Sequence, residues 1–188
     1  MFVHNPEHAG LCRTELHPAL REVFTVLEEF AAAGRVGGCG VATWSGFQHD
    51  AFSVSELLGL AIEVAGSGEH HLRAVQQPVS LVMAGRSPLP SMAGAPRPGR
   101  AAGLITFGSS PLHGGELPGL VTYGLAEFIR PGASPGTACL LVAASCPSLD
   151  VVLLSAGTAP HWAVAKATIA APLDPGRLRK VTDVLAQG

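Results

Sequence analysis

His4-Asn5-Pro6-Glu7-His8 sets two imidazoles and a carboxylate at the spacing of one zinc-binding pattern, H-x-x-E-H. That pattern holds a metal only on a helix, where positions four apart share a face. Pro6 sits at its centre and Met1-Phe2-Val3 before it reads as a strand, so no metal site is expected. His70 and His71 are adjacent, a poor geometry for one ion, and are expected at a helix end or loop surface. Cys12, Cys39, Cys139 and Cys146 contain no CxxC pair. A chain of 188 residues needs no disulfide staples, so they read as reduced thiols. Cys139 and Cys146, seven apart in a helical stretch, are expected to share a buried face. Gly34-Arg35-Val36-Gly37-Gly38-Cys39-Gly40 is glycine-rich but precedes its strand. A phosphate loop must follow a strand and open a helix. This run therefore predicts a helix stop and a turn.

The elements around these residues belong to a folded chain. The apolar fraction is 47%, charged residues make up 14%, and mean hydropathy is +0.34, which excludes intrinsic disorder. A net charge of −2, with Lys166, Lys180 and the arginines scattered, argues against nucleic acid or an anionic membrane as partner. No apolar run reaches about 18 residues, the length of a membrane span. The N-terminus has no basic segment followed by a long apolar one, so a cytoplasmic protein is expected.

Strands and helices alternate along the sequence. Met1 to His4 is a short apolar stretch. A helix is predicted over Pro18 to Ala33, with Leu20, Val23, Phe24, Leu27, Phe30 and Ala31 at helical spacing, Pro18 in its first turn and Gly34 as its stop. A strand over Gly38 to Thr43 follows. Ser53 and Glu56 form a capping box for a helix that runs to Gly66. Leu72 to Gln77 reads as a strand, and Val79 to Met83 as its continuation or a second strand. Ala84 to Gly103, with four prolines, reads as a long loop. Leu104 to Phe107 is a strand, and helices are predicted over Leu120 to Ile129 and Ser134 to Ala144. Val151 to Leu154 is a strand apolar enough to be buried on both faces. Helices from His161 to Ala170 and Asp174 to Leu185 close the chain. Apolar strands alternating with helices mean a parallel sheet, doubly wound or curled into a (β/α)8 barrel.

Particular segments choose between these. Phe2-Val3-His4-Asn5-Pro6 resembles the fourth strand of the aldo-keto reductase family, which ends in its active-site histidine. Leu27-Glu28-Glu29-Phe30, Ala33-Gly34-Arg35-Val36 and Gly40-Val41-Ala42-Thr43-Trp44-Ser45 resemble its fourth helix and fifth strand. Ala74-Val75-Gln76-Gln77-Pro78-Val79-Ser80-Leu81 resembles the sixth strand. Gly103 to Phe107 with Ser110-Pro111-Leu112-His113-Gly114-Gly115 resembles the seventh, and Val151 to Thr158 the eighth. The resemblance spans nearly the whole chain but only strands four to eight of that barrel. It implies a single α/β domain over 1–188, a partial (β/α)8 TIM-type barrel of about five parallel strands with helical crossovers.

The resemblance also implies chemistry. In the family a tyrosine protonates the carbonyl while NADPH delivers hydride, a lysine lowers that tyrosine's pKa, and a histidine orients the substrate. Of the Asp-Tyr-Lys-His tetrad only His4 carries over. Tyr123 and both lysines match no catalytic position. For NADP, Gln76 matches the residue that binds the carboxamide, and Thr43 and Trp44 stand where Ser-Asn is usual. Ser109 stands where a stacking aromatic is common, and Ser110 and Leu112 match the pyrophosphate loop. Gly157 and Thr158 match the turn after the eighth strand. Val164 and Lys166 replace the Arg and Asn of the adenosine end, leaving Lys166 as the expected cation for a 2′-phosphate. The function implied is NADPH-linked carbonyl reduction of a small molecule, incomplete or dependent on another chain. The alternative is a non-catalytic or repurposed homologue, such as a lyase or cyclase using His4, Glu7 or His113. Five strands leave two open edges, so a homo-oligomer or a partner chain completing the barrel is expected.

Overall fold

In a computed structural model of the protein, residues 1–83, 103–147 and 149–187 are described. The strands follow one another in chain order and every described pairing is parallel, an α/β arrangement whose sheet does not close. Contacts divide the chain into two units, Met1–Gln77 with Pro96–Thr106, and Pro78–Ala95 with Phe107–Gly188.

The first unit contains β1 (Phe2–His4), α1 (Arg13–Ala32), β2 (Cys39–Ala42), α2 (Val54–Ala65) and β3 (Leu72–Pro78). Register places Val3, Val41 and Val75 side by side, and Phe2, Gly40 and Ala74 on the next row. Successive residues of a strand face opposite sides. The valines therefore turn toward the helices and join a core with Leu16, Leu20, Phe24 and Leu27 of α1 and Leu57 and Ala61 of α2. Gly40 serves the opposite face. A Cβ there would meet the Phe2 ring at 2.6 Å and the Ala74 carbonyl oxygen at 2.8 Å.

Helix α1 begins five residues before the expected start at Pro18. Cys12 and Glu15 form a capping box, the Glu15 carboxylate accepting the Cys12 N–H at 3.0 Å, and Leu16 extends the buried stripe. Pro18 is consequently interior to the helix. Val23, expected on the apolar face, is exposed, and Phe30 is half-buried. Helix α2 follows its sequence signals: Ser53 Oγ accepts the Glu56 N–H at 3.2 Å, and the Glu56 carboxylate accepts the Ser53 N–H at 2.7 Å. The strand expected over Gly38 to Thr43 is confined to β2. His70 is buried, against the expectation of a surface position, and its Nδ1 has no hydrogen-bond partner among the described residues. The Glu28 carboxylate takes both the N–H and the ring of His71, the latter at 2.6 Å, and draws this segment onto α1.

The second unit holds most of β4 (Ile105–Ser109), then α3 (Tyr123–Ile129), α4 (Pro135–Ala144), β5 (Val151–Val152), α5 (Ala159–Ala170) and α6 (Pro175–Leu185). Thr122, Ser134, Thr158 and Asp174 each cap the helix that follows, and proline occupies the first turn of α4, α5 and α6. Residues 138–143 of α4 are all buried, as suits a helix apolar on every side. Ala138, Cys139, Leu141 and Val142 among them pack with Leu117, Ile129, Leu178 and Val181. The predicted helix over Leu120 to Ile129 is split by Val121, whose extended backbone separates a turn at Leu117–Leu120 from α3.

Val79 to Met83 is not a strand. Proline at 78 lacks a ladder donor and ends β3; Val79 N–H bonds to Ser109 O at 2.9 Å, and a turn follows, with Met83 N–H on Ser80 O. The strand expected over Val151 to Leu154 pairs only at Val151–Val152, and Val151 and Leu153 remain 37% and 38% exposed. It is the last strand in the order and lacks the two covering layers that full burial needs. Cys139 and Cys146 are both buried but enter different clusters, because Cys146 lies beyond the end of α4. The expected loop over Ala84 to Gly103 lies, except for Gly103, outside the described residues.

Replacing Ser53 with Ala removes the hydroxyl that accepts the Glu56 N–H and leaves the bond from the backbone N–H of residue 53 to the Glu56 carboxylate. It is expected to cost about 1 kcal/mol and to lower the melting temperature by roughly 2–4 °C, read by thermal denaturation followed by circular dichroism.

Candidate functional site

Parallel register carries His4 to the level of Ala42, and Ala42 to the level of Gln76. All three stand at the C-terminal ends of their strands, on the face away from the valine core. His4 is exposed and Gln76 half-buried. Two of the residues expected at the site, His4 and Gln76, are thus placed together in the first unit, two strand spacings apart.

The next residues after β2 are committed elsewhere. Asn5 is left-handed (φ 46°), a conformation asparagine tolerates, and it turns the chain into the short helix Pro6–His8. Glu7 is thereby delivered against the start of the β2–α2 loop. Its Oε1 accepts three hydrogen bonds, from Thr43 Oγ1 at 2.7 Å, Trp44 N at 2.7 Å and Ser45 N at 2.9 Å. Thr43 Oγ1 in turn accepts the Gly46 N–H at 2.8 Å. Gly46 permits this close approach, since a Cβ there would lie 2.7 Å from Thr43 Oγ1 and 2.5 Å from the Phe52 ring. The Glu7 side chain is only 6% exposed, and its Oε2 is buried with no partner among the described residues. Burial works to raise its pKa, but the hydrogen bonds from Ser45, Thr43, its own N–H and Trp44 outweigh it, and the carboxyl titrates below the ordinary range. An ionised carboxylate held this way is a poor general acid or base. The Trp44 indole is partly exposed.

A threonine hydroxyl has one proton to donate. Thr43 gives it to Glu7, and the residue is 4% exposed. Its hydroxyl therefore has no proton left for a cofactor at the Ser-Asn position where the resemblance sets it.

The second unit has a cavity lined by described residues. A cleft of about 400 Å³ is lined by twelve residues, among them Leu112, Thr137, Leu154, Gly157, His161 and Val164. That volume sits at the low end of the roughly 300–1,000 Å³ typical of small-molecule sites. The first turns of α4 and α5 both reach its wall, through Gly136 and Thr137 and through His161. The opening turns of helices favour negative charge.

Of the residues expected to bind cofactor in this unit, Leu112 and Gly157 line the cleft, while Ser109, Ser110, Thr158 and Lys166 do not. Ser109 O is engaged by Val79 N–H. Ser110 is left-handed (φ 54°) and its carbonyl accepts the His113 N–H at 3.1 Å. Thr158 is spent as the α5 cap, accepting the His161 N–H at 3.3 Å. Lys166 is exposed. Two helical positions differ by about 200° in direction, so Val164 on the cleft wall turns Lys166 away from it. His161, three residues before Val164, shares its face. That residue was missed in the sequence, although its spacing from Val164 marks it. It is the only titratable side chain in the lining. His113, a candidate acid or base, is held by Ser80, whose fully buried Oγ lies 2.8 Å from its Nε2. Cys139 shows no sign of reactivity, since burial pushes its thiol up to about 11. Among the described residues no cluster of His, Cys, Asp or Glu is arranged to hold a metal, and no helix is long and apolar enough to cross a membrane.

Neither a family model nor a curated protein matches the sequence. Solved structures do. A thermostable aldo-keto reductase in complex with the inhibitor epalrestat aligns at a TM-score of 0.58 and 14% identity, over 97% of this chain and 58% of that one. A protein assigned as a 2,5-diketo-D-gluconic acid reductase B aligns at 0.58 and 16% identity, over 88% of this chain and 51% of that one. The chain therefore spans little more than half the length of the structures it matches. At such identities the likeness is one of fold, and the fold is that of a partial aldo-keto reductase barrel, five parallel strands long.

Proposed function

We propose that this chain forms the cofactor-binding part of an aldo-keto reductase-like oxidoreductase, one that reduces a small carbonyl compound with NADP only when a segment or chain beyond this sequence completes it. The observation that carries this reading is the cleft of the second unit. Leu112, Gly157 and Val164, three positions the resemblance gives to the cofactor's pyrophosphate and adenosine, meet on its wall. The cofactor, when bound, supplies the hydride. Gly157 and the turns at Gly136–Thr137 and His161 would hold its phosphorylated end, and Leu112, Leu154 and Val164 would cover apolar surface of the adenine. His4, exposed at the end of β1, would orient the carbonyl. Tyr123 is 81% exposed at the start of α3 and matches no catalytic position, so the proton must come from a group outside this chain. A second reading, a nucleotide-binding module without chemistry, is favoured by the commitment of Thr43 to Glu7.

Partnership follows from the same reading. Strands β1 and β5 end the order and each has one described neighbour, and an unpaired strand edge is a template for another chain. A second copy or a separate chain supplying the remaining strands would cover them. Light scattering coupled to gel filtration is expected to give a mass above that of one chain. A soluble monomer with a sharp thermal transition would defeat this part.

Affinity tests the cofactor reading. Without a fixed cation in the cleft, NADPH is expected to bind with a dissociation constant of roughly 0.1–1 mM. Val164→Arg, which returns a guanidinium to the wall, should tighten it about tenfold. Calorimetry reads both. Absence of binding at millimolar NADPH, or binding that Val164→Arg leaves unchanged, overturns this use of the cleft. The chain alone should reduce no aldehyde; turnover that His4→Ala abolishes would show that another group replaces the tyrosine.

A further inference from the structure

We propose that Thr43, Trp44 and Ser45 form a three-donor site for a carboxylate or amide oxygen, and that the chain fills this site with its own Glu7. The hydroxyl of Thr43 and the successive N–H groups of Trp44 and Ser45 converge on one oxygen at 2.7, 2.7 and 2.9 Å. Successive backbone N–H groups that point to one spot make an anion-binding concavity. The second oxygen of Glu7 is buried and unpartnered, so the side chain is held by this one contact point rather than by a network around both oxygens. Its backbone turn fits the same role: Asn5 is left-handed and Pro6 opens the short helix that brings Glu7 inward. His8 Nε2, 4.0 Å from Oε1 on a largely exposed side chain, is the neighbouring cation when protonated. The depressed pKa of Glu7 agrees with an oxygen that sits in a donor cluster.

The consequence for ligands rests on the cofactor reading above. With Glu7 in place, the donors that the resemblance assigns to the nicotinamide carboxamide are occupied from within. A nicotinamide carboxamide then gains no hydrogen bond from them.

The experiment compares NADPH with 2′,5′-ADP, which lacks the nicotinamide, by calorimetry on the full chain. Wild type is expected to bind the two within about threefold. Glu7→Ala, which empties the site, should bind NADPH at least about fivefold tighter than 2′,5′-ADP. Glu7→Gln, which keeps an acceptor oxygen in place, should behave as wild type. Independently of nucleotides, sodium formate is expected to raise the melting temperature of Glu7→Ala by about 2–4 °C over a chloride control, and to leave wild type and Glu7→Gln unchanged.

Wild-type preference for NADPH above about tenfold would show the nicotinamide end already held and overturn the consequence for ligands. A folded Glu7→Ala that formate does not stabilise overturns the oxygen site itself. Should neither nucleotide bind any variant, the cofactor reading fails while the formate result still decides the oxygen site. If Glu7→Ala does not fold, refolding it in formate takes the place of the melting shift, and failure of formate to restore the fold counts against the site. The wild-type NADPH to 2′,5′-ADP ratio is independent of that variant.

Discussion

The parallel register of β1, β2 and β3 is the constraint on which the first unit depends. Pairing Val3 with Val41 and Val41 with Val75 sends three valines to the helices, and fixes His4, Ala42 and Gln76 on the opposite face. Side-chain direction alternates along a strand, so a slip of one residue would exchange the two sets. The valines would leave their core and His4 would enter it. Small residues on the other face, Gly40, Ala42 and Ala74, leave room for the Phe2 ring, and the 2.6 Å a Cβ would find at Gly40 makes the fit specific. Neighbouring strands lie about 4.8 Å apart, so the same pairing sets His4 and Gln76 two strand spacings from each other. Core packing and site geometry are two results of one pairing.

Glu7 extends this pairing beyond the strands. Where β2 ends, the N–H groups of Trp44 and Ser45 have left the ladder and need an acceptor. Glu7 provides it from the end of β1. A single oxygen with three donors is strongly held, while its buried neighbour Oε2 goes without, a deficit that typically costs about 1–3 kcal/mol. The arrangement persists because the three charge-assisted bonds exceed that cost. It also settles what Glu7 does not do. A carboxyl whose proton affinity is lowered by fixed donors, and whose second oxygen is buried, has neither the pKa nor the exposure that acid–base chemistry requires.

Local signals in the sequence were the most legible. The Ser53–Glu56 box, the Ser134-Pro135 start and the Asp174-Pro175 start all involve residues within three positions of each other, and each caps its helix as read. The start of α1 was misread because cysteine is an unusual cap and a proline normally opens a helix, whereas Pro18 lies inside. Val79 to Met83 has strand composition, but its pairing is decided by Pro78 and by Ser109, thirty residues away in sequence. His70 and His71 look alike in sequence; the Glu28 carboxylate on α1 distinguishes them. At the site, position in a strand was readable for His4 and Gln76. The capture of Thr43 by Glu7 was not, because it joins residues 36 apart through a left-handed turn.

Lys166 shows how helix phase decides a role that residue type alone suggests. On α5, Trp162, Lys166 and Ile169 recur at spacings of four and three and so form one stripe, and Trp162 and Ile169 remain 46% and 43% exposed. The aliphatic stem of a lysine on such a stripe covers apolar surface while its ammonium stays in water. His161, Val164 and Ala165 form a second stripe, on the cleft. The same helix therefore keeps its one fixed positive charge outside and an aliphatic side chain where a guanidinium is usual in the family it resembles. Attraction for an anion in that cleft is left to the opening turns of α4 and α5 and to His161 in its protonated form. Helix-end fields fade within a turn. What the cleft offers most of is an apolar wall, formed by Leu112, Leu140, Leu154 and Val164.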